Sequence, residues 1–386
     1  MKIQIDKDKL ADAVSWAARS LPTRPSVPIL AGLMIKAEAG MVTMSSFDYE
    51  TSAQVSTQAE VETPGVVLVS GKLLADITKS LPQKPVTLSS TDTELEVLCG
   101  SARFALQTLP AMDYPDLPHM PQASGWIDAE EMLKGVSQVV VAAGRDELLP
   151  VFTGVKIEFD GKNLSLLGTD RYRMALKEMT WNPSTSAQGE TSVLVPGKVL
   201  LETAKSMVTS PRITISLADT AAGEGLIGFQ AESNDGVRQI TTRLLDGEFP
   251  QLRHLMSVSD DLSVCTDTQD LISAVRRVAL VAEKNTSLRM KIGDDHVTLE
   301  AARGDQAQAS EAVKAIVVHN TAEPALVDAG FNPNYLLDAL QALDTPAVHF
   351  SFTGSGKPCL LTGLEKIDGE PDQDYRHVIM LMRLTP

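Results

Sequence analysis

Ile5–Val14 reads IDKDKLADAV, and the same phrase returns as IDAEEMLKGV over Ile127–Val136 and as TDTQDLISAV over Thr266–Val275. In each copy an aspartate (Asp6, Asp128, Asp267) is followed four residues on by Leu10, Met132 or Leu271, and four further by Val14, Val136 or Val275. Leu10, Ala13, Val14, Ala17, Ala18 and Leu21 fall at the spacing of one buried helix face, so the pattern predicts a helix reaching Leu21. An aspartate just ahead of such a run suits an N-cap, because its carboxylate accepts from the free N–H groups of the first turn.

Working outward, two further blocks repeat. VLVSGKLLADITKSLPQKPVTLS from Val67 matches VLVPGKVLLETAKSMVTSPRITIS from Val193, and DAGFNPNYLLDALQALDTPAVHFSF from Asp328 is a looser third copy. Each reads as a strand, a Gly or Pro break, an amphipathic helix and a β-branched strand. A last strand closes each copy: RFALQTLP from Arg103, RQITTRLL from Arg238 and RHVIMLMRL from Arg376. The first two run on into DYPDLP and GEFPQL, whereas the third runs to the last residue. These aromatic–proline segments therefore read as linkers between repeats, since proline fixes φ and blocks strand continuation.

The repeats start 122 and 139 residues apart, too long for a solenoid. Three such units fill the 386 residues, with expected domains at 1–121, 122–258 and 259–386. Each holds two short helices and many short alternating strands, which predicts an α+β fold of three repeated domains with antiparallel sheets and helices on one side.

The search for chemistry is negative. TGSGKP (Thr353–Pro358) fails as a phosphate loop, because Ser351 stands where the first glycine belongs and Pro358 replaces the Mg²⁺-holding hydroxyl; it reads as a hairpin turn. The six histidines have no metal-ligand spacing, and Cys99, Cys265 and Cys359 are odd in number and far apart, as befits reduced cytoplasmic thiols. Asn285 sits in a glycosylation sequon without a secretory signal to use it. Asp170 in GTDRYR is the best catalytic candidate, and a turn role fits it better. No cofactor is expected, and no apolar run approaches the ~20 residues of a membrane helix. An enzyme with a pocket between repeats would need a convergent polar cluster, and a tandem adhesion protein would need secretion; neither signal is present. The net charge of −16 argues against gripping nucleic acid by bulk electrostatics.

With the threefold repeat, RPSVPIL (Arg24–Leu30), GTDRYRMAL (Gly168–Leu176), LLDGEFPQL and the ending VIMLMRL, the whole chain resembles the bacterial DNA polymerase III β subunit family of sliding clamps. The resemblance implies a non-catalytic processivity factor in the DNA clamp fold, with two helices per domain lining a hole. Two subunits pair head to tail as a homodimer, so the chain is half of a six-domain ring. A ring encloses duplex DNA rather than gripping it, which reconciles the function with an acidic chain. Arg24, Lys72, Lys79, Arg145, Lys198, Lys205, Arg276 and Arg277 are then DNA-facing residues, although the same charges also suit solvated helix faces, and Asp12, Asp76 and Glu202 share those helices.

The implied partners are double-stranded DNA without sequence preference, the DNA polymerase III alpha subunit, the clamp loader and other proteins carrying a clamp-binding motif. Their peptides are expected in a groove at Phe152, Thr169, Tyr172, Arg173, Met174, Pro250, His254, Leu255, Val378, Met380, Met382 and Arg383. The alternation of the last strand serves a core strand equally well. The sequence departs from the family pattern at Leu381, where proline is often seen, at His254, where arginine is common, and at the extra Thr385–Pro386. Phe104 and Leu106 are expected against Leu280 and Val281 at the subunit interface, Phe104 also suiting a core position.

Overall fold

The computed structural model describes the chain apart from residues 185–189, 219–224, 234–235, 258–260, 284–285, 322–325, 355–356 and 385–386, and the side chains of residues 319 and 320. Asn285, the centre of TGSGKP and the terminal Thr385–Pro386 thus lie outside the described residues.

The first repeat runs β1 (Lys2–Ile5), α1 (Lys7–Ala17), β2 (Gly32–Glu38), β3 (Met41–Phe47), β4 (Thr51–Gln58), β5 (Glu60–Thr63), β6 (Gly65–Ser70), α2 (Gly71–Ser80), β7 (Val86–Ser90), β8 (Glu94–Cys99) and β9 (Ala102–Leu109). The second keeps that order: β10 (Ala123–Asp128), α3 (Ala129–Val140), the single turn α4 (Pro150–Thr153), β11 (Gly154–Asp160), β12 (Asn163–Thr169), β13 (Arg173–Thr180) and β14 (Asn182–Pro183). It continues with β15 (Thr191–Pro196), α5 (Gly197–Met207), β16 (Arg212–Leu217), β17 (Leu226–Ser233) and β18 (Gly236–Arg243). The third comprises β19 (Leu262–Asp267), α6 (Thr268–Ala279), β20 (Leu288–Ile292), β21 (His296–Arg303), β22 (Ala307–Asn320), β23 (Asp328–Phe331), α7 (Pro333–Leu343), β24 (Ala347–Phe352), β25 (Pro358–Leu364) and β26 (Tyr375–Met380).

All three repeated aspartates cap their helices. Asp6 accepts from the amides of Asp8 and Lys9, Asp128 from Glu130 and Glu131, and Asp267 from Asp270, at 2.9–3.2 Å. α1 buries Leu10, Ala13, Val14 and Ala17 as the periodicity requires, but it ends at Ala17 instead of reaching Leu21. Ala18–Ser20 tighten into a 3₁₀ turn and Leu21 is extended, because Pro22 disfavours helical backbone in the residue before it.

Every strand pairing among the described residues is antiparallel, and the chain divides into two compact units. The first unit (Met1–Met132, Trp181–Gln188, Glu202–Leu244) holds a sheet of order β14-β10-β16-β17-β18-β4-β3-β2-β6-β9-β8-β7-β1-β5. Within it α1 packs on α2, β3 and β4. The second unit (Leu133–Thr180, Gly189–Leu201, Leu245–Pro386) holds β15-β11-β12-β13-β26-β25-β24-β19-β22-β21-β20-β23, with α6 packed on α7, β21 and β22. The middle repeat thus gives strands to both units.

Each unit contains one seam where a repeat joins the next. In the first, β18 pairs with β4 from Val237↔Ser56 to Thr242↔Thr51. In the second, β26 pairs with β13 from Arg173↔Ile379 to Lys177↔Tyr375. Equivalent strands of successive repeats make equivalent seams.

The linker aromatics are buried against their sheets, Phe249 on the strands of the second seam. Tyr114 lies in a cluster with Phe47 and Leu68, its hydroxyl accepting from the Phe47 amide at 2.8 Å and donating to the Gly32 carbonyl at 3.3 Å. Phe249 lies in a larger cluster with Met174, Leu176, Leu194, Met256 and Val378. Why the chain writes the aromatic–proline phrase twice now has a structural answer: each aromatic fastens a linker onto its sheet.

Candidate functional site

The GTDRYR segment is a tight turn between β12 and β13. The Asp170 carboxylate accepts from the amides of Tyr172 and Arg173, each at 3.0 Å, and Thr169 Oγ1 donates to the Arg173 carbonyl at 2.7 Å. Arg171 between them adopts φ 80°, a left-handed conformation that non-glycine residues seldom take. Asp170 thus serves the turn, the role its sequence context favoured, and it also pairs with Arg173.

Arg173 is 6 % exposed. Its Nε donates to Asp170 Oδ2 at 3.0 Å and its Nη1 to Asp338 Oδ2 at 2.6 Å, while the guanidinium lies 4.3 Å from the centre of the Tyr335 ring. Two carboxylates and an aromatic face supply what a buried charge needs. α7 brings Tyr335 and Asp338 to this point because Asn332 caps it, accepting from the amides of Asn334 and Tyr335, and Pro333 opens its first turn. Tyr172 stacks on Tyr335 at 6.5 Å, and burial, reinforced by the Asp170 carboxylate, pushes the Tyr335 hydroxyl up from its ordinary range.

Around this turn opens a cleft of about 610 Å³, lined among others by Arg145, Leu149, Phe152, Tyr172, Arg173 and Tyr335. The structure thus brings Phe152, Tyr172 and Arg173 of the expected groove together, and it places Arg145 here as well. Sequence reasoning missed Leu149, Asn334, Tyr335 and Asp338. Only the helix start at FNPNYLLD, with Tyr335 and Asp338 three residues apart on one face, could have signalled the last three; Leu149 carries no such signal.

The other expected groove residues continue along the same edge. Met174 pairs with Val378 across β13 and β26, and both are buried, so they form floor rather than surface. The Met380 amide donates to the Tyr172 carbonyl at 2.8 Å and the Met382 amide to the Gly330 carbonyl at 2.8 Å, which fixes the C-terminal strand against the turn and β23. Thr169 is buried, Met380 is 38 % exposed, Met382, Pro250 and Leu255 are half-buried, and His254 and Arg383 are exposed. The next residue but one before Met380–Leu381 is core: Val378 is 1 % exposed. The Tyr375, His377 and Ile379 face of β26 is buried throughout, while the other face passes from buried Val378 to exposed Met380 at the end of the strand.

Beneath the seam, the Tyr375 hydroxyl donates to the Gln138 carbonyl at 2.9 Å and accepts from His377 Nδ1 at 2.8 Å. His377 Nε2 is buried with no hydrogen-bond partner among the described residues. Burial, with the Arg173 charge, lowers the His377 pKa to about 3, so the imidazole is neutral at physiological pH.

The eight expected DNA-facing cations are all exposed. Lys72 and Lys79 lie on α2, Lys198 and Lys205 on α5, Arg276 and Arg277 on α6, and Arg24 and Arg145 in the loops after α1 and α3. Among the described residues, Lys205 pairs with Glu202 at 3.3 Å, and Arg277 with Glu311 through two bonds of 2.5 and 2.9 Å. α7 carries no basic residue. Of the expected interface side chains, Leu280 is 80 % exposed and Phe104 and Val281 are half-buried. Leu106, two residues on and on the same face of β9 as Phe104, is 2 % exposed.

Among the described residues no helix is long and apolar enough to cross a membrane. Family models for the N-terminal, central and C-terminal domains of the DNA polymerase III beta subunit match residues 1–118, 126–251 and 256–383. The chain is 47 % identical over 388 residues to the beta sliding clamp of Streptomyces coelicolor, covering 100 % of both. It is 48 % identical over 313 residues to that of Micrococcus luteus, covering 81 % of this chain and 98 % of that one. The crystal structure of the DNA polymerase III subunit beta from Pseudomonas aeruginosa superposes with a TM-score of 0.88 at 26 % identity, over 100 % of both chains.

Proposed function

The chain belongs to the bacterial DNA polymerase III beta subunit family, the non-catalytic sliding clamps that give the polymerase its processivity, and from that premise we propose that two copies close head to tail into a six-domain ring around duplex DNA. One observation carries the proposal. Along residues 102–107, β9 bonds only to β8 among the described residues, and along residues 307–314, β22 bonds only to β21. β9 is the counterpart of β18 and β26, and β22 the counterpart of β4 and β13. These are the partners in the two seams already made within the chain. A single chain therefore holds one unmatched edge of each kind, and a third seam of the same sort needs a second copy. The pairing is heterologous and closes only if the rotation per subunit fits. Phe104 and the exposed Leu280, with Val281, would then meet their counterparts across it.

DNA and polymerase are the partners that the family implies. Enclosure lets the ring stay on DNA without strong contacts, and a screening length of ~8 Å lets an acidic exterior coexist with a modestly basic lumen. The exposed cations of α2, α5 and α6 are our candidates for that lumen, with Arg277 and Lys205 weakened by their internal carboxylates. The groove running from Phe152 and Tyr172 to Met380, Met382 and Leu255 would take short peptides of the polymerase III alpha subunit, the clamp loader and other clamp-binding proteins. Methionines suit such varied guests because they reshape easily. Tethering then raises the polymerase's effective concentration at the primer end. We place the domains at 1–121, 122–258 and 259–386 and the protein in the cytoplasm.

The test is retention on nicked circular DNA after loading, before and after the circle is cut. Loss only on cutting is expected; equal retention on both forms would replace enclosure by contact binding.

A further inference from the structure

Away from the cleft, the outer face of β11, β13 and β26 carries a row of charges. Arg253, in the 3₁₀ turn Arg253–Met256, donates through Nε and Nη2 to Glu158 Oε2 at 3.0 and 2.8 Å, and through Nη1 to Glu178 Oε1 at 3.1 Å. The other Glu178 oxygen accepts from Arg376 on β26, and Lys156 holds Glu158 at 2.7 Å. Burial alone would raise the Glu158 pKa, but the bonds from Lys156 and Arg253 hold its carboxyl below the ordinary range.

The placement of this network gives it meaning. Along β13 the residues on one face run Met174, Leu176, Glu178, and along β26 they run Met380, Val378, Arg376. Each strand is apolar at the groove end and charged at the far end. The linker lies over this face, burying Phe249 and Met256 on Met174, Leu176 and Val378. His254 and Leu255 follow Arg253 directly, so the guanidinium anchors the short turn that carries two groove residues. Glu178 grips that turn and β26 at once.

Resting on the groove reading above, we infer that Arg253, Glu158 and Glu178 are positioning residues for partner-peptide binding: a salt clip that sets the distance between the linker turn and the last strand without touching the peptide. Because the clip is partly exposed, with Arg253 at 46 % and Glu178 at 39 %, it responds to ionic strength.

The probe is a fluorescein-labelled synthetic peptide carrying the clamp-binding segment of the polymerase alpha subunit, titrated by anisotropy with the full-length dimer. Arg253→Gln, Glu178→Gln and Glu158→Gln are each expected to weaken binding about fivefold, the scale of a good exposed ion pair. The double variant Arg253→Gln/Glu178→Gln should be no weaker than either single one, because both open the same clip. A direct contact would behave differently: Arg253→Gln would weaken binding while the two Glu→Gln variants left it unchanged or strengthened it, and that result overturns the inference. Leu255→Ala and Met382→Ala serve as groove controls. If they bind normally, the groove reading itself fails; if they lose binding while all three clip variants keep it, only the clip fails. Hydrogen exchange of the 253–257 amides in the unmutated protein gives a check that needs no variant. It should quicken as salt rises from about 50 to 500 mM, and salt-independent exchange would count against the clip.

Discussion

The two seams share a backbone plan and differ in almost every side chain. At the first, Thr51 meets Thr242 at 3.1 Å, Ser52 meets Thr241 at 2.6 Å and Gln54 meets Gln239 at 3.4 Å, a ladder of neutral side-chain hydrogen bonds. At the second, the same register brings Met174 to Val378, Ala175 to His377 and Leu176 to Arg376. The turns that border them match as well. Asp48 accepts from the amides of Glu50 and Thr51 as Asp170 does from Tyr172 and Arg173, and Tyr49 at φ 75° answers Arg171. Even the bond to the neighbouring repeat is shared, Arg243 N to the Glu50 carbonyl and Met380 N to the Tyr172 carbonyl. Seam formation therefore depends on backbone pairing and turn geometry, which leaves the side chains free. One seam spends that freedom on closure and the other on a cleft.

The sharpest way to break the comparison is Arg173→Ala. It strands the Asp170 and Asp338 carboxylates, and losing one partner of a buried pair costs about 3–5 kcal/mol, here towards the lower end because Asp338 is 33 % exposed. Gln239→Ala at the other seam should cost under about 1 kcal/mol. All three tryptophans, Trp16, Trp126 and Trp181, lie in the first unit, so their fluorescence follows that unit while circular dichroism follows both. Arg173→Ala should shift the circular dichroism transition and spare the fluorescence one. Equal shifts would mean that the units unfold together.

Acid should separate the seams next. His377 is held neutral in the fold, with a pKa of about 3 against its ordinary 6.5, so below pH 6.5 the unfolded chain takes up a proton that the folded one refuses. Stability of the second unit then falls as pH drops, by about 1.4 kcal/mol per pH unit from this group until its folded pKa is reached. Urea titrations at stepped pH should show this slope in the wild type and lose it in His377→Gln. A slope that survives the substitution would assign the acid sensitivity to other groups.

Smaller effects sharpen the contrast in the first unit. Tyr114→Phe leaves the Phe47 amide and the Gly32 carbonyl without their hydroxyl partner and should cost about 1–3 kcal/mol by tryptophan fluorescence. Ser52→Ala should cost about 1 kcal/mol, whereas Ser52→Ala with Thr241→Val should be closer to neutral, because both polar partners leave together. If the double variant costs as much as the sum of the single ones, the ladder is not pairwise.

The sequence announced the fold through covalent regularity: Asp6, Asp128 and Asp267 cap helices because the phrase around them is local, and local chemistry repeats visibly. Tyr172 and Arg173, contiguous in one motif, were legible as neighbours and do line the cleft together. Tyr335 and Asp338 line it too but were not legible, the Asp338 bond spanning 165 residues from Arg173, because a partner supplied by a distant helix leaves no periodic trace.

Tyr49 and Arg171 occupy backbone positions where glycine would be at ease and where a larger residue carries a local penalty of about 1–3 kcal/mol. The two repeats use the same turn, and they differ in what it displays. A glycine at either site would make a sturdier protein with one fewer side chain to show its surroundings. That the chain carries an arginine at one turn and a tyrosine at the other makes these loops places where new recognition surfaces can be tried without disturbing the architecture that bears them.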